Sequence, residues 1–364
     1  MLFRSGAKLS DLEFQLFLMT AVEPYDIRGS ILPALCTFRS KFDYDPVDRD
    51  GNRIEVPEKL REMEATSEMC KLVHMYYFGH VVNAGKGSPS GGIYFDFSRF
   101  TDEQIDEMFE AVMDHFDGFY KHGYYHGESI IDFRDLAKKK RRVEVGLTSE
   151  YSVGGIFVDE NMFTGVPGLY AAGEAASGVF GANRVADAVT EMLVQGYKAG
   201  EVAAARASEQ TRVASDDAAI ERAVGVLEKL LSNQGGIAVS EAIDRLGEIS
   251  DNALGMVRNE TTLRAGVEAF ETLGAEMDGI SLRGKSLRYN RELMQALAAR
   301  NLLACSRVAA KMALERRESR GLHLRDDYSY IDNENWQVRQ LAELVRSEER
   351  RVGKECRSRW SPYH

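Results

Sequence analysis

The sequence predicts a mixed α/β chain, interrupted by an α+β insert and closed by an all-helical region. Three observations carry that reading. Short apolar runs punctuated by Gly and Pro lie on both sides of residues 52–146, as at Ile31–Leu35 and Leu169–Ala172. The stretch between them combines a β-type run, Ile93–Phe97, with a capped helical pattern that begins at Thr101. From Ser215 onward the apolar period is helical almost throughout, as far as Val345.

The elements follow in order. Asp48–Asn52 is a turn signal, and Pro57–Tyr77 has helical periodicity. Ala84–Gly92 reads as a loop, followed by the strand Ile93–Phe97. Thr101 caps a helix running to about Lys121, with Glu103 and Gln104 in its first turn. Gly154–Val158 is a strand after a glycine turn, and Leu169–Ala172 is a buried strand that ends at Gly173. A helix is expected from near Asp187 to Ala205. The helical region then breaks near Gly235-Gly236, at Gly279 and over Gly321–Asn335.

The composition is that of a globular protein, 44% hydrophobic and 28% charged, and the net charge of −11 gives no support to a nucleic-acid role. No apolar run reaches the length of a membrane span. Cys36, Cys70, Cys305 and Cys356 include no CxxC pair, so neither an iron–sulfur cluster nor a zinc site is expected. Scattered cysteines read as reduced, buried residues of a cytoplasmic protein. Electrons handled by such a chain must reside on an organic cofactor or pass to a partner. The ends read differently: residues 346–364 and 1–5 look like a translated sequencing adapter, which leaves about 6–345 as the biological segment.

The strongest motif is Gly168-Leu169-Tyr170-Ala171-Ala172-Gly173-Glu174, followed by Gly181-Ala182-Asn183-Arg184. A short apolar strand ending in Gly-Glu turns the chain at a sheet edge, where open α/β sheets bind ligands. A carboxylate there suits a pair of ribose hydroxyls. The small residues after it let backbone approach a flat ring. The helix near Asp187 points the positive end of its dipole at the same place. A plain strand–loop–helix connection with small packing residues explains this spacing equally well.

Here the chain resembles the flavoprotein subunits of the succinate dehydrogenase/fumarate reductase family, with L-aspartate oxidase and adenylylsulfate reductase as relatives. The family pattern GLYAAGE followed by HGANR is matched through Arg184, with Phe180 in place of the histidine. A distant second match is Glu318-Ser319-Arg320-Gly321-Leu322-His323-Leu324-Arg325-Asp326, with Trp336 after it. Weaker matches are Gly6–Phe14 and Glu150–Ile156.

The resemblance implies an α/β FAD-binding domain, present in part, made of residues 6–51 and 147–205. It further implies an inserted α+β capping domain at 52–146 and a C-terminal helical domain at 217–345. It implies FAD as the cofactor, with Gly154, Gly155, Gly173, Glu174, Asn183, Arg184, Ala188, Val189 and Thr190 at the cofactor. The family's opening GxGxxG fingerprint has no counterpart here, so this chain alone is expected to bind FAD weakly or not at all. An iron–sulfur subunit or another electron-transfer partner is implied, with attachment to the membrane only through such partners.

The catalytic set departs from the family. Its His-Pro-Thr falls on Leu18, Met19 and Thr20, and its Thr-Glu pair falls near Ala34 and Leu35. Its substrate-clamping histidine falls on Glu150, and its proton-relay arginine falls loosely on Lys71. Arg184 is kept, leaving Arg184, Lys71, Glu150 and Thr20 as the candidate catalytic residues. Arg184 and Lys71 have plainer readings, a structural ion pair for Arg184 and a solvated helix face for Lys71. Glu150 reads as a base, a clamp for a cationic substrate or a satisfied core acid. Three functions stay open: a flavin-dependent oxidoreductase with an altered pocket acting on a small organic substrate, a non-catalytic flavin-binding or electron-transfer subunit, and an inactive fragment. Glu318, Arg320 and Arg325 are expected to hold the helical domain onto the flavin domain, with Tyr328, Tyr330 and Trp336 in the core. His122 and His126, spaced four apart around Gly123, are expected in a surface loop.

Overall fold

The computed structural model describes residues 6–21, 45–55, 78–115, 135–178, 181–182, 188–211, 215–345 and 349–355. The chain divides into two compact units, Leu16–Tyr151 and the combination of Met1–Gln15 with Ser152–His364.

Among the described residues, the first unit contains a four-stranded sheet and a helix. Strands β1 (Leu9–Ser10) and β2 (Gln15–Ala21) come first in the chain, followed by β3 (Asp45–Val47) and β4 (Ile93–Asp96), helix α1 (Asp102–His115) and β5 (Arg142–Ser152). The sheet order is β2-β5-β4-β3, and the fixed register pairs Tyr94 with Glu144 and Pro46 with Phe95. Alternation puts Ile93, Phe95, Val143 and Val145 in its core. Thr101 caps α1 as expected: its hydroxyl accepts from Gln104 N and its own N–H donates to Gln104 Oε1. The Asp48–Asn52 turn closes on the Asp48 carboxylate, which accepts from the N–H groups of Asp50 and Asn52.

This unit begins at Leu16, well before the residue-52 boundary expected from sequence, and ends at Tyr151 instead of 146. The reason lies in the ladders. β2 and β3 are bonded into the same sheet as β4 and β5, so residues 16–21 and 45–47 belong with the insert. The expected helix 57–77 and the pair His122 and His126 lie outside the described residues.

The second unit contains β6 (Gly155–Ile156), α2 (Ala188–Glu209), α3 (Asp217–Ser232), α4 (Val239–Leu254), α5 (Glu260–Met277), α6 (Arg291–Glu315), the short α7 (Asn333–Trp336), β7 (Arg339–Val345) and β8 (Glu349–Glu355). β1 lies at the centre of a sheet of order β6-β1-β7-β8, with Leu9 opposite both Ile156 and Ala342. The helices α3 to α6 enclose Phe270, Leu273, Leu246, Leu293 and Leu303. Val308, Ala309 and Met312 of α6 carry that packing into the core under β1.

Several sequence readings are corrected here. Residues 339–345 form a strand, not the end of the helical run, because their backbone pairs with β1 and β8. Within the segment 346–364, residues Glu349–Glu355 form β8, in register with β7 from Val345↔Glu349 to Arg339↔Glu355. Gly154–Val158 shrinks to the two residues of β6. Leu169–Ala172 is no sheet strand: Tyr170 makes a single antiparallel bridge to Phe163. Cys305 is exposed, not buried. Tyr330 is also exposed, while Trp336 is buried as expected. Among the described residues no helix is long and apolar enough to cross a membrane.

Candidate functional site

The Gly-Glu corner is built by close backbone packing. A Cβ at Gly154 would overlap the Asp11 carbonyl, and one at Gly155 would lie 2.7 Å from the Ala176 carbonyl carbon. Only glycine lets these three backbones meet. The contact is completed by Ser177 N–H donating to the Ile156 carbonyl at 2.8 Å. Gly173 turns the chain with φ 71°, and its N–H donates to Gln195 Oε1 at 2.8 Å. Glu174 is exposed, with Oε1 accepting from the Ser152 N–H at 3.1 Å. The carboxylate is thereby held at the corner with its remaining face open.

α2 starts at Ala188, so Ala188, Val189 and Thr190 form its first turn. Glu191 stands in that same turn, against Gly178, and its Oε1 accepts from Gln195 Nε2 at 3.1 Å. This carboxylate offsets part of the positive end of the helix dipole. From its first turn on, α2 shows solvent an apolar side, with Val189, Leu193, Val194 and Tyr197 between 64% and 75% exposed.

The two strong sequence motifs meet in space. Leu322 N–H donates to the Ala182 carbonyl at 2.9 Å, and Gly321, with φ 51°, leaves no side chain in the way. A Cβ on Gly321 would overlap that carbonyl oxygen.

Below them lies a buried charge network, of which sequence reasoning singled out only Glu318, Arg320 and Arg325. Glu13 is fully buried, and its Oε1 accepts from Arg316 Nε at 2.8 Å and Gln340 Nε2 at 2.7 Å. Arg316 also donates to Glu318 Oε1 at 2.9 Å and to the Trp336 and Val338 carbonyls, and its guanidinium lies over the rings of Phe14 and Trp336. Glu318 in turn binds Arg320 and the Asp332 N–H. Arg325 donates to the Ala313, Leu314 and Arg316 carbonyls at the C-terminal end of α6 and pairs with Asp327. The expectation that Glu318, Arg320 and Arg325 hold structure together fits this wiring.

Burial dominates the electrostatics. Asp11 is raised to about 6, first by burial and then by the charge of Glu13, while Arg339 pulls the other way. Burial also brings the Arg258 guanidinium down to about 10, against the pull of Glu13. His323 is held well below the ordinary histidine range by burial and then by Arg258, Arg316 and Arg325. Its Nδ1 lies 3.1 Å from Arg258 Nη1 and accepts from it, since a guanidinium only donates.

Of the candidate catalytic residues, Lys71 and Arg184 lie outside the described residues, as does Asn183. Thr20 sits in β2 and Glu150 in β5, on neighbouring strands of one sheet, with their side chains outside the description. Gly154, Gly155, Gly173 and Glu174 are brought together at the corner. The first unit also holds a cavity of about 220 Å³ lined by Ser90, Tyr94, Lys140, Arg142 and Glu144, none of them singled out from sequence. Among the described residues no three His, Cys, Asp or Glu side chains cluster as metal ligands. The missed network had one faint signal: acids flanked by apolar residues, as in Leu12-Glu13-Phe14.

A family model described as FAD binding domain matches residues 1–187, and one described as Fumarate reductase flavoprotein C-term matches residues 243–357. The fumarate reductase flavoprotein subunit of Haemophilus influenzae is 34% identical over 53% of this chain and 33% of its own length. That of Mycobacterium tuberculosis is 28% identical over 96% of this chain and 60% of its own length. Among solved structures, Mycobacterium smegmatis Sdh1 in complex with UQ1 matches with a TM-score of 0.79 and 26% identity, over 97% of this chain and 56% of that one. Adenylylsulfate reductase from Archaeoglobus fulgidus shares the fold, with a TM-score of 0.66 at 16% identity. The chain thus spans about a third to three fifths of the length of these relatives.

Proposed function

Because this chain belongs to the FAD-binding flavoprotein family of succinate dehydrogenase and fumarate reductase, we propose that its parent protein is a flavin-dependent oxidoreductase whose substrate pocket has departed from the dicarboxylates. The observation that carries the redox reading is the joined pair of motifs, Ala182 bonded to Leu322 over the buried Glu13–Arg316 network. That arrangement holds the segment leading to Arg184 against a rigid base, which a site that orients a reacting carbon requires.

The corner residues fit FAD. Glu174, held by Ser152 N–H and open on its other side, is a carboxylate acceptor for ribose hydroxyls. Gly154 and Gly155 keep side chains out of the tightest backbone contact. The first-turn N–H groups of α2 are donors for a partly anionic ring edge. When bound, flavin supplies hydride transfer. The chain's own residues position it, and Arg184 is the retained cation for an acidic substrate group.

The altered pocket rests on residue chemistry. Glu150 stands where the family has a histidine, and Leu18, Met19, Ala34 and Leu35 replace four polar or shape-defining residues. A carboxylate beside a dianionic substrate adds repulsion where charge must be paired, at several kcal/mol per uncompensated ion. A cation-bearing or singly charged substrate fits this set better. The depleted set also favours the second reading, a flavin-binding subunit that passes electrons to a partner without its own substrate.

The test uses the full-length parent loaded with FAD. Under anaerobic conditions, succinate should leave the flavin spectrum unchanged, and Glu150→His should increase its bleaching. Rapid bleaching by succinate in the unaltered protein would refute the altered pocket. If no organic substrate bleaches the flavin while a reduced redox partner does, the electron-transfer reading replaces the enzyme.

A further inference from the structure

The polar face of β5 carries two buried atoms that its neighbours leave unpaired. Strand alternation turns Val143 and Val145 into the core of the first unit and sends Arg142 and Glu144 to the opposite face. Glu144 stands opposite Tyr94 of β4 and is only 8% exposed. Among the described residues its Oε1 has no hydrogen-bond partner, and neither has Arg142 Nε. Buried polar atoms are ordinarily paired, and leaving a charged group unpaired costs more than leaving a neutral one. Arg142 is held away from its neighbour. Its Nη2 donates to the Asp48 carbonyl, and its guanidinium lies 4.2 Å over the Tyr94 ring.

Both residues line the cavity of about 220 Å³. Its far wall is the loop Ser88–Gly92, closed by Ser88 N–H on the Gly92 carbonyl and by Gly92 N–H on Ser88 Oγ at 2.8 Å. Gly92 presses so close to β5 that a Cβ there would overlap the Val145 carbonyl oxygen. The loop therefore sits rigidly against the strand. The exposed residues Pro89, Ser90 and Lys140 form the mouth, and buried Glu144 lies deeper.

We propose that this cavity binds a small zwitterion, a free α-amino acid, with its ammonium group on the Glu144 carboxylate and its own carboxylate toward Arg142 and Lys140. Charge-assisted bonds then form at both ends of one ligand. Simpler ligands serve only half of the lining. An anion such as phosphate suits Arg142 and Lys140 but is repelled by Glu144. A plain amine serves Glu144 and leaves Arg142 Nε unpaired. A metal ion lacks ligands, since among the described residues no three His, Cys, Asp or Glu side chains gather. The volume falls below the roughly 300–1,000 Å³ of pockets for drug-sized molecules, which suits a single amino acid. Every lining residue belongs to the unit Leu16–Tyr151, so the site stands apart from the flavin corner and from the redox reading.

The test is isothermal titration calorimetry of the full chain with each common L-amino acid, with inorganic phosphate, and with the N-acetyl and decarboxylated forms of whichever amino acid binds. At least one amino acid should bind, and both of its altered forms should bind at least tenfold more weakly. Glu144→Gln should lower the affinity at least tenfold. The same substitution should leave the urea unfolding midpoint of the unliganded chain no lower, because it removes a charge that has no partner to lose. A chain that binds no amino acid, or that binds phosphate or the decarboxylated amine as tightly, would overturn the proposal. So would unchanged affinity in Glu144→Gln, or a fall in its unfolding midpoint, which would give the carboxylate a structural role instead.

Discussion

Replacing Gly321 by alanine tests whether the two motifs are truly locked together. Three costs add. An alanine at φ 51° costs roughly 1–2 kcal/mol in backbone strain. Its Cβ would overlap the Ala182 carbonyl, so one backbone must move and the Leu322–Ala182 hydrogen bond is lost, at roughly 1 kcal/mol. Residual crowding brings the total to about 3 kcal/mol or more. Gly235 supplies the internal control: its φ is 74°, yet an added Cβ meets nothing within 4 Å. Gly235→Ala should therefore cost only the backbone share, about 1–2 kcal/mol. Urea unfolding followed by far-ultraviolet circular dichroism compares the two directly. Equal midpoints for the two variants would show that the Ala182 contact contributes nothing and would refute the reasoning. In the full-length parent, Gly321→Ala should also weaken FAD binding, because the displaced segment leads directly to Asn183 and Arg184.

Other outcomes follow from the buried charges. Glu13→Gln removes the acid facing Arg316 and sets an amide against Gln340, which should cost about 3–5 kcal/mol in denaturant unfolding. Asp11 is held near 6 when folded, above its ordinary 3.8, so the folded chain binds that proton more tightly and its stability falls as pH rises from about 4 to 6. Asp11→Asn should remove that decline in a pH series of unfolding midpoints. His323 has the opposite sign. Its folded value is depressed, so the unfolded chain takes up the proton first and stability is lost as pH falls below 6.5. His323→Gln should flatten the acid side of the same series, and an unchanged slope in either variant would contradict its assignment.

The sequence showed the corner and hid what supports it. Gly173-Glu174 and Gly154-Gly155 were legible because close backbone approach restricts residue type locally, and glycine records that restriction. The Thr101 cap was legible for the same reason, since its partner Gln104 lies three residues away. The strand 339–345 was not legible: its pairing partner is β1, and nothing in a local period reports a neighbour so distant. The start of the insert at Leu16 was missed likewise, because strand membership is decided across the sheet and not along the chain. The Glu13–Arg316 part of the buried network was invisible for a further reason. Charged residues ordinarily mark the surface, and only the structure shows these side chains 0–1% exposed.

The position of β1 bears on how the molecule is made. Asp11 exchanges backbone and side-chain bonds with Gln340, 329 residues away in sequence. At translation speeds of roughly 5–20 residues per second, the ribosome takes roughly twenty seconds to a minute to supply that partner. During this interval the edge of β1 and the Asp11 backbone lack the partner on which they close, whereas the described strands β2 to β5 are already made. Closure of this sheet thus waits until residue 340 has been made, and β1 must be kept from pairing elsewhere until then.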